Sequence, residues 1–191
     1  MNKKDILVNK DGLTFYKLRE NEYCTTCSLT NTHLKMSEII NFDLIKLIYD
    51  INTDIYEKTY IDKIDNDNAI LTLVLKPFFK DLGLPQRYSI LKIKRTVNNE
   101  NKIIFICETD KDINKDINKK TYIDVPANAE LLDINNINID CTILSSDCID
   151  FKITILFDKN MIIPSFVEKT ISIITHKIFI RVKQFIENIR M

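Results

Sequence analysis

The sequence predicts an α+β fold in which a curved antiparallel β-sheet grips one long C-terminal α-helix, and three observations carry the prediction. Apolar and polar residues alternate with period two in run after run, most cleanly at Ile149, Phe151, Ile153, Ile155 and Phe157. Turn-forming clusters separate these runs at hairpin spacing, as in Asp65-Asn66-Asp67-Asn68 and Asn98-Asn99. From Pro164 the period changes, and Val167, Ile171, Ile174, Ile178, Val182, Phe185 and Ile189 advance at helical spacing for about seven turns.

The elements follow in chain order. Residues 13–31 read as two strands broken near Asn21, the second showing Tyr23, Thr25, Cys27 and Leu29 on one face. Ser37 and Asn41 are both competent N-caps for a short helix carrying Phe42, Leu44, Ile45, Leu47 and Ile48 and closing by Asp50. Residues 56–65 and 70–78 read as strands, the second ended by Pro77; 88–97 and 102–109 form a hairpin. Ile137, Ile139, Cys141 and Ile143 alternate with polar residues and complete the sheet. The interior of such a sheet is either a packed core or a ligand cavity, and periodicity is compatible with both.

Composition removes whole classes of function. Lys+Arg 27 balance Asp+Glu 27, so no net field draws the chain to nucleic acid and no nucleic-acid partner is expected. Average glycine usage would supply roughly thirteen in this length, yet only Gly12 and Gly83 occur, far apart, so glycine-rich phosphate loops are excluded. With His33 and His176 alone, no His-Glu-x-x-His zinc motif is possible. No cofactor and no metal are expected.

At 191 residues the chain is long enough to bury on the order of 70% of its unfolded surface without staples, and it reads as one domain over 1–191. Nothing in this size demands a partner subunit, and a monomer is expected. Five cysteines, an odd number, and no apolar segment behind the basic start point to a reducing, cytoplasmic compartment. No apolar run approaches the roughly 18 residues of a membrane span.

Spaced landmarks then acquire meaning together. Gly12-Leu13-Thr14-Phe15-Tyr16-Lys17 is similar to an opening Gly-Val-x-x-Tyr-Lys strand. Asp50 closes a Leu-rich helix, and Tyr56-Glu57 follows where a tryptophan is usual. Pro85-Gln86-Arg87 enters a strand, and Asp158 and Pro164 keep an Asp-x-x-Gly-x-x-Pro spacing with Met161 in place of the glycine. In these features the chain resembles the START domain, the lipid-transfer domain related to the steroidogenic acute regulatory protein, over residues 10–190. The resemblance implies a helix-grip fold of START/Bet v 1-like type and a cytoplasmic carrier holding one lipid in an apolar cavity. A phospholipid ranks ahead of a sterol, because the second cavity arginine of sterol-type members falls near Ile93 and their Val-Arg reads Ile123-Asp124.

The resemblance turns a set of core candidates into a candidate cavity wall: Leu71, Leu73 and Leu75, then Leu91 and Ile93, then Phe151, Ile153 and Ile155, facing Val167, Ile171, Ile174 and Ile178. Arg87 shares parity with Leu91 and Ile93, so its guanidinium faces the same interior, to meet either a lipid headgroup or a structural acid. Within 110–120, Lys-Asp-Ile-Asn occurs twice, in the position where the family has a loop over the cavity opening. Ile113 and Ile117 with Lys115, Lys119 and Lys120 would form a small tip for transient, peripheral contact with a membrane surface; the alternative is an inert polar loop.

Two further features carry less. Cys24 and Cys27 are three apart in a strand, where their sulfurs point to opposite faces, which disfavours metal or redox use. His176 has neither a nucleophile nor an orienting acid indicated beside it, so the chain is not expected to be an enzyme. The competing readings are a helix-grip enzyme of cyclase or hydrolase type acting on a small apolar substrate, and a ligand-free interaction module.

Overall fold

Two tight hairpins open the chain, and their backbone angles explain them. Residues 5–78, 80–99, 101–110 and 124–190 are described by the computed structural model. Strand β1 (Asp5–Lys10) turns into β2 (Leu13–Arg19) through Asp11 and Gly12, both at positive φ (56° and 76°). Two left-handed residues make the turn whose twist matches that of the flanking strands. Strand β3 (Glu22–Thr30) follows through Glu20 and Asn21, the break falling at Asn21 as the sequence predicts. Strand β1 was not expected; the Asp-Gly pair behind Val8 is the signal for it.

The remaining elements are α1 (Met36–Ile39), α2 (Phe42–Asp50), β4 (Tyr56–Lys63), β5 (Asn68–Leu75), a 3-10 turn (Lys80–Leu82), β6 (Arg87–Asn99), β7 (Lys102–Thr109), β8 (Glu130–Leu131), β9 (Ile134–Ser145), β10 (Cys148–Phe157) and α3 (Ser165–Glu187). Of the two competing caps, Asn41 starts α2: its Oδ1 accepts from the backbone N–H of Asp43 (2.7 Å) and Leu44 (3.4 Å). Ser37 lies inside the single turn of α1 instead. Strand β5 stops at Leu75, before Pro77, because the Lys76 N–H leaves the ladder to donate to the Ile55 carbonyl (2.9 Å).

The strands form one sheet in the order β1-β2-β3-β10-β9-β7-β6-β5-β4, every neighbour on this path antiparallel. Strand β8 lies off the path and makes a two-residue parallel bridge to Arg87 and Tyr88. It belongs to a segment that covers the convex face, where Val125, Ala129 and Leu131 pack on Val74, Tyr88 and Ile90.

Helix α3 crosses the concave face, touching β1, β2 and β3 along one flank and α2 along the other. The predicted stripe needs one correction at its end. Phe185 is 46% exposed, and Ile186 is buried in its place, because the buried line runs Ile178, Val182, Ile186 in steps of four.

Side chains from both flanks pin the helix. Glu168 in its first turn accepts from Lys17 (2.7 Å) and from the Tyr23 hydroxyl (2.6 Å). At mid-helix, Arg181 and Lys177 pair with Asp54, and His176 meets Asp11 at 3.2 Å. Two buried asparagines bracket β3: Asn21 donates to the carbonyls of Asp158 (2.9 Å) and Met161 (2.8 Å), which lead into α3. Asn31 donates to those of Ile186 (2.6 Å) and Ile189 (2.9 Å), which end it.

Candidate functional site

Because the sheet curls and the helix crosses it, the concave face and the inner side of α3 do not meet everywhere. Between them lies a cavity of about 680 Å³. Strand β5 contributes Leu71, Leu73 and Leu75; β6 contributes Arg87, Leu91 and Ile93; β10 contributes Phe151, Ile153 and Ile155; α3 contributes Val167, Ile171, Ile174 and Ile178. The structure thus gathers on one cavity every wall position read from the sequence. Sequence reasoning missed the contributions of α2 (Leu44, Ile45, Ile48, Tyr49) and β7 (Phe105, Cys107). It read the alternation of Ile137, Ile139 and Cys141 as a buried face without assigning that face to the wall.

The cavity opens between the β5–β6 connection and the start of α3. Phe78 and Leu84 on one side and Ile162 and Phe166 on the other line the cavity and are also exposed, Ile162 to 90%. The tip expected at Ile113, Lys115, Ile117, Lys119 and Lys120 lies outside the described residues.

Polar groups on the wall are few. Arg87 faces inward as its parity requires, and its guanidinium pairs with Glu130 at 2.8 Å, with about a third of the side chain exposed. Ser89 donates to the Leu132 carbonyl (3.1 Å). The rings of Tyr49 and Tyr56 meet edge to face, centroids 4.8 Å apart. Cys27, Cys107 and Cys141 also line the cavity, and burial pushes each thiol up to about 12. They are held as inert thiols.

A further inward arginine lies two residues past Ile93. Arg95 has that strand parity, is mostly buried with an unpartnered Nε, and reaches Asp67 at 3.4 Å, but it is not on the cavity wall. The two sulfurs of the Cys24–Cys27 pair do separate: Cys27 lines the cavity, whereas Cys24 accepts from the Thr154 hydroxyl (3.8 Å) away from it. Among the described residues no group of three or more metal-ligating side chains converges. No helix there is long and apolar enough to cross a membrane.

No protein-family model matches the sequence, and no curated protein matches it. Solved structures do. Human StAR-related lipid transfer protein 5 superposes with a TM-score of 0.68 at 8% identity, over 96% of this chain and 86% of that one. The lipid transfer and protein localization domain of human StarD13 gives 0.68 at 8% identity, over 99% and 91%. The STAR-related lipid transfer protein of Xanthomonas axonopodis gives 0.63 at 12% identity, over 96% and 98%. At such identities the likeness is one of fold, and it spans nearly the whole chain: the molecule resembles START domains, with the helix-grip architecture that the landmarks at Gly12, Asp50, Arg87 and Pro164 imply.

Proposed function

We propose that this chain is a lipid carrier that encloses one lipid in the cavity under α3 and exchanges it at membrane surfaces. The observation that supports this is the cavity itself, walled by aliphatic and aromatic side chains from seven strands and two helices. Carrying a sixteen-carbon chain bare through water costs on the order of 12 kcal/mol at about 0.8 kcal/mol per methylene. An enclosed apolar volume removes that cost. At roughly 30 Å³ per non-hydrogen atom, about 680 Å³ corresponds to roughly two dozen atoms, room for one acyl chain. A phospholipid, the class ranked first from the sequence, would keep its headgroup at the mouth, where Arg87 lies three residues after the rim residue Leu84.

Membrane contact follows from the same rim: Phe78, Leu84, Ile162 and Phe166 present apolar surface around the opening. A carrier is favoured over an enzyme by the chemistry of the wall, where the thiols are held protonated and neither imidazole takes part, His176 meeting Asp11 instead. The carrier acts as a monomer and a single domain.

The test is native mass spectrometry of freshly purified protein before and after organic extraction. One lipid-sized mass increment per chain, lost on extraction, is expected. Protein of bare chain mass that also fails to acquire lipid from vesicles would rule the carrier out in favour of an interaction module. Ile174→Asp places a carboxylate on the wall and should abolish uptake while circular dichroism stays unchanged.

A further inference from the structure

A phenol hydroxyl beside an apolar cavity calls for a hydrogen-bond partner, and two half-buried tyrosines on this wall have none among the described residues. Tyr49, near the end of α2, and Tyr56, at the start of β4, both border the cavity, pack edge to face against each other, and make no hydrogen bond through their hydroxyls to any described residue. Burial holds both well above the usual tyrosine range, so each keeps its proton and remains a donor.

Register places them relative to Arg87, the one charged group on the wall among the described residues. Tyr56 pairs with Leu75 across β4 and β5, and Tyr88 pairs with Val74 across β5 and β6. Leu75 therefore stands between Tyr56 and Arg87 on the concave face, and the positive charge of Arg87 is already matched by Glu130. On the cavity side the two phenols offer donors with no charged neighbour but Arg87, whereas Asp50, Glu57, Lys58 and Lys76 lie on their outer side. Such a site suits an uncharged oxygen acceptor, a hydroxyl or an ester carbonyl, and disfavours a free carboxylate or phosphate, which would lose its hydration there without a countercharge.

We propose that Tyr49 and Tyr56 form a neutral polar grip inside the cavity that donates to one uncharged oxygen of the bound lipid and so selects lipids bearing such an oxygen over plain hydrocarbon of equal size. The grip rests on the carrier reading and assigns it a ligand chemistry and an orientation, with the neutral oxygen seated beside α2 and β4.

The experiment is displacement of 1,6-diphenylhexatriene, a probe without polar atoms, by 1-hexadecanol, methyl palmitate and hexadecane. Wild type is compared with Tyr49→Phe, Tyr56→Phe and the double variant. Each single change should weaken hexadecanol or methyl palmitate about fivefold and the double about twenty-five-fold, the size of one and of two net hydrogen bonds. Whichever of the two weakens tells a hydroxyl from an ester. Affinity for hexadecane and for the probe should stay within about twofold. Unchanged affinity for both oxygenated ligands overturns the grip, and so does equal weakening of all three, which would mark a packing role. If wild type binds no probe at all, the carrier reading itself falls and takes the grip with it, an outcome distinct from the other two. Because the variants remove only oxygens without a protein partner, none should melt below wild type; a fall in melting temperature would reveal a protein partner for a hydroxyl and overturn the proposal.

Discussion

Asn31 shows how one short side chain can end a helix it does not belong to. Its amide satisfies the carbonyls of Ile186 and Ile189, groups that a helix terminus leaves open, while its Oδ1 accepts from the His33 N–H (2.7 Å). Asn31→Ala should therefore cost about 3 kcal/mol in urea unfolding, three net hydrogen bonds, with no change in the slope of the transition. A cost near zero would mean water replaces the amide. Glu168 acts at the other end, and its carboxyl is held below the usual carboxylate range by Lys17 first and then by the Tyr23 hydroxyl. A carboxylate with a lowered folded value stabilises the fold above its unfolded value, near 4.5, and loses that contribution as the pH falls through the folded one. Wild type should lose stability on acidification below about pH 4.5, and Glu168→Gln should start about 2 kcal/mol lower at pH 7 and fall less steeply. Parallel pH profiles for the two proteins would leave Glu168 without this role. Neither asparagine nor Glu168 was legible from the sequence, because each acts over more than a hundred residues of chain and no local spacing marks the partner.

Strand alternation, by contrast, was legible, and through it most of the cavity wall. Leu71, Leu73 and Leu75 or Phe151, Ile153 and Ile155 reach the wall because a strand has only two faces, so choosing the apolar one suffices. Helices leave more freedom, which is why Phe185 was misplaced by part of a turn and why α2 was given no part in the wall. Strand β1 lacked a buried face to announce it, its residues being exposed or half-buried. The same two-faced logic separates the cysteines. Cys27, Cys107 and Cys141 face the cavity while Cys148 does not, and all are free. A small apolar thiol reagent at neutral pH should modify Cys148 at one rate whether or not lipid is loaded. The three cavity thiols should react slowly in lipid-free protein and several-fold more slowly in loaded protein, read peptide by peptide in the mass spectrometer. Equal rates in both states would place the lipid elsewhere.

An unfilled apolar volume leaves its wall without contacts on one side, so on the carrier reading the lipid-free chain is the less stable form of the molecule. A ligand held only by the folded state adds about 2.7 kcal/mol at a hundred times its dissociation constant. For a chain of 191 residues that is a rise of roughly 5–10 °C in melting temperature, to be sought by scanning calorimetry of extracted protein titrated with vesicle-borne lipid. A melting temperature that ignores lipid would argue against enclosure. The strand order carries a different consequence, for how the molecule comes into being. Strand β3 finds its inner neighbour in β10, more than a hundred residues later, so the first hairpins cannot join the rest of the sheet until nearly everything else has been synthesised. During translation the edge of β3 stands open, with Tyr23, Thr25, Cys27 and Leu29 uncovered. This is a slow, non-local closure of the kind that exposes a nascent chain to aggregation. Chaperone dependence should accordingly be concentrated in the interval before Cys148–Phe157 leaves the ribosome.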